Sequence, residues 1–152
     1  DTPNFDFDTQ IGTGSTDLLL GIYHQSNLSS DHLWSGFSQI SIDQPMLTKN
    51  DYIPGNEIDA VYGIYYHGIS FGTQSGFIPM LQAKAAMRAS DHGASGHPDD
   101  TGYNRLMVAP GFDVSLGSFQ LYADLSVPFY LYFSGTHLAQ IYLFHSLFAL
   151  YF

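Results

Sequence analysis

The sequence predicts an all-β protein: a transmembrane, antiparallel up-and-down β-barrel with about eight strands in this chain, or part of a larger barrel of the same kind. Three observations lead there. Apolar and polar residues alternate without a break through segments such as Ser118–Tyr130, longer than the roughly 5–6 residues of an average soluble strand and long enough for the roughly 9–11 of a membrane-crossing one. The chain closes on an aromatic residue, Phe152, behind the alternating run Tyr142–Phe152. Aromatic residues are abundant, with 11 Tyr, 12 Phe and 1 Trp in 152 residues, although the apolar fraction of 45% is ordinary. Aromatic girdles at two membrane interfaces account for that excess.

Each element follows from the period of two. Asn4–Ile11 alternates Phe5, Phe7 and Ile11 with Asp6, Asp8 and Gln10. Asp17–Gln25 turns Leu18, Leu20 and Ile22 outward, with Leu19 spoiling an otherwise polar inner face. Trp34–Asp43 places Trp34, Ile40 and Ile42 outside and Gln39, Ser41 and Asp43 inside. In Glu57–His67, Ile58, Ala60, Tyr62, Ile64 and Tyr66 oppose Glu57, Asp59, Gly63, Tyr65 and His67. Phe77–Arg88 sets Phe77, Leu81 and Met87 against Gln82, Lys84 and Arg88. Arg105–Leu116 sets Leu106, Val108, Phe112 and Val114 against Arg105, Met107 and Asp113, with a bulge or break expected at Pro110, which has no N–H to give a ladder. In Ser118–Tyr130, Phe119, Leu121, Ala123, Leu125, Val127 and Phe129 face out, and Gln120, Tyr122, Asp124, Ser126 and Tyr130 face in. The last strand ends on Phe148, Leu150 and Phe152, which read as the signal for the barrel assembly machinery.

Loop lengths assign the two ends. With the C-terminus in the periplasm, the external connections fall near 131–137, 89–102, 44–56 and 12–14, and the tight Leu116-Gly117-Ser118 turn lies on the periplasmic side. The longest polar loops are then external, while Gly12-Thr13-Gly14 is short for its place.

Composition removes several alternatives. Four basic residues against 14 acidic ones give a formal charge of −10, which repels nucleic acid. With no cysteine, the chain has no disulfide framework, thiolate metal site or cysteine nucleophile. No apolar run reaches the roughly 20 residues of a transmembrane helix. Asp1 is not followed by a basic stretch and an apolar core, so the chain reads as a mature form or a fragment.

The inner faces suggest where chemistry could reside. Lys84, Arg88 and Arg105 lie on two neighbouring strands, with Asp59, Asp113 and Asp124 among the acidic residues around them. Inside a narrow barrel such charges must pair; across a pore they would orient a polar or anionic solute. Met80, Met107, Tyr122, Tyr130, Leu143, Leu147 and Tyr151 make the inner face more apolar than a general water-filled pore, suiting either packing or a slide for greasy molecules. His92, His97 and Asp99 share one loop and could ligate a divalent ion, although their spacing fixes no geometry. Ser134, His137, Asp99 and Asp100 fall on loops of one side, but no nucleophile motif supports catalysis, and neither an enzyme nor a cofactor is expected.

Several short segments carry a family resemblance. They are Gly12-Thr13-Gly14-Ser15-Thr16-Asp17, Asp51-Tyr52-Ile53-Pro54-Gly55-Asn56, Ala109-Pro110-Gly111, Val127-Pro128, Gly135-Thr136-His137-Leu138 and the terminal Phe152. In these the chain resembles the outer-membrane transporter family called "MetA pathway of phenol degradation", with His137 where members more often have Gln. Members of that family are longer and have further strands before the Gly-Thr-Gly segment, so the resemblance implies the C-terminal portion of a wider barrel. The expected setting is a bacterial outer membrane. The expected function is passive or facilitated passage of small, hydrophobic or aromatic solutes; the alternative is a non-conducting barrel that anchors or ensheathes a protein of the cell envelope.

Overall fold

The computed structural model describes residues 15–47, 52–93, 99, 101–133 and 142–151. The expected strand at Asn4–Ile11 and the terminal Phe152 lie outside them. The described residues form strands and connections, with no helix among them. The strands are β1 (Thr16–Asn27), β2 (Trp34–Leu47), β3 (Glu57–Tyr66), β4 (Ile69–Ser70), β5 (Ser75–Arg88), β6 (Tyr103–Leu116), β7 (Phe119–Phe133) and β8 (Leu143–Leu150).

One antiparallel sheet holds them all, in the order β1-β2-β3-β5-β6-β7-β8, with the short β4 pairing beside β5. This neighbour-to-neighbour order is the up-and-down arrangement, and the sheet curls into a half-barrel. A closed ring is not seen among the described residues: β1 pairs only with β2, and β8 only with β7. β5 and β6 have 14 residues each. At about 3.3 Å per residue and a tilt near 45°, such a strand rises roughly 33 Å, enough to cross a hydrocarbon layer of about 25–30 Å.

Side chains sort between the two faces in reverse of a soluble protein. On the outer face Phe129 is 67% exposed and Leu81 47%. On the inner face Gln82 is 5% exposed and Asp124 3%. Toward the middle of the sheet the inner face thus buries Gln82, Asp124 and Ser126 along with Ala86, Met107 and Ala109, while many large apolar side chains stand exposed on the outer face.

Connections alternate between the ends of the half-barrel. One end has the tight links: residues 28–33, the β4 excursion and the two-residue loop Gly117-Ser118. In that loop Gly117 adopts φ +62°, the glycine position of a type II′ hairpin turn, whose twist matches the flanking strands. The other end has the longer connections, 48–56, 89–102 and 134–142.

The local break expected at Pro110 is present on one side of β6: the ladder with β5 runs through Pro110, opposite Leu81, while the ladder with β7 passes from Val108 to Gly111. One detail differs from the sequence reading. A bulge then occurs at Phe129, because Leu106 pairs with Tyr130 while Met107 pairs with Pro128. The additional residue inverts the alternation beyond it. Tyr130, expected inside, shares the outer face with Leu106, and Leu131 turns inward beside Arg105.

Candidate functional site

The register aligns inner-face residues into rows across the sheet. One row runs Gln39, Val61, Lys84, Met107 and Pro128; another runs Tyr65, Met80, Gly111, Asp124 and His145. Small residues on β6 open the space between β5 and β7. Ala109 faces Gln82, and Gly111 faces Asp124, so long side chains from both neighbours meet above β6. A Cβ on Gly111 would lie 2.9 Å from that of Asp124 and 2.7 Å from the Ala123 carbonyl oxygen, which is why the position holds glycine.

Asp124 is the hub of the resulting network. Lys84 Nζ lies 2.9 Å from Asp124 Oδ1 and donates to Ser126 Oγ at 3.1 Å. Ser126 Oγ donates to Asp124 Oδ1 at 3.1 Å, and His145 Nδ1 approaches the same oxygen at 3.1 Å. Tyr122 donates its hydroxyl to Asp124 Oδ2 and accepts from Gln82 Nε2 at 2.9 Å. A buried carboxylate held by this many donors is satisfied as an anion. The sequence placed Lys84 and Asp124 on the inner face; the structure joins them across an intervening strand and adds Tyr122, Ser126 and His145.

A second cluster lies toward the long-loop end. Tyr103 donates to Glu57 Oε1 at 2.5 Å, and Arg105 reaches the same oxygen at 3.8 Å while its guanidinium sits 4.8 Å above the Tyr103 ring. Asp59 belongs to the row that holds Ser41, Ala86 and Arg105. Asp43 neighbours Glu57 in the next row. Buried Asp43 Oδ1 and Arg105 Nε have no hydrogen-bond partner. Asp113 stands apart, accepting from Gln120 Nε2 at 2.7 Å, and Tyr151 donates to Gln120 Oε1 at 2.8 Å.

Arg88 takes part in a different structure, a knot that ties two of the long connections at the rim. Its Nη2 lies 3.0 Å from Asp91 Oδ1. Asp91, 1% exposed, also accepts from the Tyr52 hydroxyl at 2.7 Å and from the Gly55 N–H at 2.7 Å. The Asp91 N–H donates to Thr101 Oγ1 at 2.7 Å, and Ser90 Oγ donates to the Thr101 carbonyl at 2.8 Å. Ile53 and His92 add a backbone bridge between the two connections. Gly55 packs so closely that a Cβ would lie 1.8 Å from the Ala89 carbonyl oxygen. No sequence pattern marked Asp91 as the centre of this knot, because its partners are spread from Tyr52 to Thr101 and meet only when the loops do.

Of the residues expected to hold a metal, His92 and Asp99 are exposed, and His92 Nδ1 is 2.6 Å from the Ser90 carbonyl oxygen. His97 lies outside the described residues, among which no group of three or more metal-ligating side chains occurs. Phe148 and Leu150 of the expected assembly signal face outward on β8, with the Phe148 ring 4.4 Å from that of Phe119.

Comparison of the chain with protein-family models, curated proteins and solved structures finds no match. The functional reading therefore rests on geometry.

Proposed function

We propose that the chain is a bacterial outer-membrane β-barrel, or a large part of one, through which small solutes pass, hydrophobic or aromatic ones among them. The observation that carries this reading is the inverted burial: apolar side chains outward on strands of crossing length, polar and charged ones buried within the curl. Water would penalise that arrangement and hydrocarbon favours it. The long connections would then face outward and the tight turns the periplasm, with the lipid bilayer and the barrel assembly machinery as first partners. Met107, opposite Lys84 and two residues from Arg105, and Met80, farther along β5, line the inner face, a surface suited to solutes that combine a flat apolar body with a polar group.

The test is conductance or solute leak after reconstitution into planar bilayers or liposomes. Arg105→Ala should shift ion selectivity toward cations, since it removes a positive group while Asp59 and Glu57 remain. A protein that stays in solution without detergent, or liposomes that show no leak, would sink the channel reading. The second reading, a non-conducting barrel that anchors an envelope protein, is favoured by the pairing of Lys84, Arg88 and Arg105 with carboxylates at 2.9, 3.0 and 3.8 Å. Membrane integration without conductance, together with a stable co-purifying partner, would select it.

A further inference from the structure

Four rings form an unbroken chain across the inner wall of β1–β3. Tyr23 and Phe37 stand 6.0 Å apart with their planes inclined by 27°, Phe37 and Tyr65 stand 6.1 Å apart, and Tyr65 meets the His67 ring edge-on at 4.8 Å. The register puts Tyr23, Phe37 and Tyr65 on the same face as Gln39 and Ser41. A glycine makes room for the chain: a Cβ on Gly63 would lie 2.3 Å from Phe37 Cε1, so that ring rests on bare backbone. Tyr23 is 56% exposed although it faces the concave side, so packing leaves much of its ring surface open.

Charge indicates what such a platform takes. β1, β2 and β3 contain no lysine or arginine, and toward the long-loop end their inner wall continues as Asp17, Asp43, Glu57 and Asp59. Glu57 is engaged by Tyr103 and Arg105. Asp17, Asp43 and Asp59 form no ion pair among the described residues, and one Asp43 oxygen is buried without a hydrogen-bond partner. Arg105 shares the row of Asp59 but turns its guanidinium to Glu57 and the Tyr103 ring. Small residues separate the acids from the rings: Gly21 and Ser41 complete the row of Asp59, and Tyr23 and Gln39 form the next inner row. At about 3.3 Å per residue, Tyr23 lies roughly 7 Å and Phe37 roughly 13 Å along the strands from the row of Asp59.

We propose that this wall binds organic cations with an aromatic body, the ammonium head at Asp43 and Asp59 and the ring on Tyr23 and Phe37. The inference deepens the function proposed above and rests on its barrel reading, which leaves the concave face to water and solutes. Aromatic faces attract flat apolar groups and cations alike, while carboxylates without counter-ions select a positive head and repel an anion. The formal charge of −10 acts in the same direction.

The test uses the full chain in neutral-detergent micelles with three probes built on one skeleton: 4-phenylbutylammonium, 4-phenylbutan-1-ol and 4-phenylbutanoate. Calorimetry, corrected for empty micelles, should find the ammonium bound on the order of tenfold tighter than the alcohol, and the carboxylate weakest. Asp43→Asn combined with Asp59→Asn should bring the ammonium to the level of the alcohol and leave the alcohol unchanged. Tyr23→Ala, which removes an exposed ring, should weaken both. Equal binding of ammonium and alcohol, tighter binding of the carboxylate, or an ammonium affinity untouched by the paired asparagines would overturn the proposal. Conductance of the same preparation separates the two readings. A conducting barrel with no preference for the ammonium sinks this inference alone, whereas a protein that stays in solution without detergent sinks the barrel reading and this inference with it.

Discussion

At the scale of single residues, Asp124 is the most exacting position. Its carboxylate serves Lys84, Tyr122, Ser126 and His145 together, and the Lys84 side chain is only 15% exposed. Asp124→Ala leaves a nearly buried ammonium without its counter-ion, a change that costs roughly 3–5 kcal/mol in comparable buried pairs. The urea midpoint in detergent micelles should fall accordingly. Asp113→Ala, which removes one hydrogen bond from Gln120, should cost no more than about 1.5 kcal/mol. The exposed turn between β1 and β2 offers a titration test. The Ser29 hydroxyl, and after it the Leu33 N–H, donates to Asp31 and holds its carboxyl below the usual carboxylate range. A carboxyl lowered by folding contributes above its unfolded pKa, and the contribution is lost as pH falls through the folded value. Ser29→Ala should therefore raise the Asp31 pKa, seen in its carboxyl carbon NMR shift, and the turn should lose order at a higher pH during acidification.

At the scale of elements, the outer face sets a clear asymmetry. Leu81→Arg places a charge where lipid is expected and should cost about 2–4 kcal/mol near the midplane, whereas Met80→Arg, one residue away on the inner face, should cost much less. Urea titrations in one lipid compare the two directly. Gly55→Ala drives a methyl group into the Ala89 carbonyl, so the Tyr52–Asp91 knot must shift; a loss on the order of 1–3 kcal/mol is expected, with faster proteolysis of the 89–102 connection. The elements were largely legible because a period of two survives in any sequence that must hold two different faces. The bulge at Phe129 was not legible: Phe129-Tyr130-Leu131-Tyr132 is apolar and aromatic throughout, so no polar residue records the inversion. The two-residue β4 was too short to leave a period. In the candidate site, alternation put Lys84, Arg105 and Asp124 on the inner face. It did not pair Lys84 with Asp124, because the bond spans an intervening strand and depends on Ala109 and Gly111 being small.

At the scale of the whole molecule, the described residues form a curled half-barrel whose outer strands β1 and β8 are unpaired on one side among those residues. Residues 15–151 expressed alone are expected to aggregate, because open edges recruit one another. Sedimentation after refolding into micelles, compared with residues 1–152, measures that difference. Placement inside the curl followed from alternation alone, but ring size did not, since period two reports which way a side chain points and carries no record of how many strands complete the circumference.

The rim knot has a practical corollary. Ser90 and Asp91 clasp Thr101, so the stretch between them leaves and rejoins the scaffold at one stapled neck. On the outer-membrane reading proposed above, a peptide tag or antigenic epitope spliced after Gly93 should be displayed on the cell exterior while the scaffold beneath assembles as before, making this neck the port for grafting.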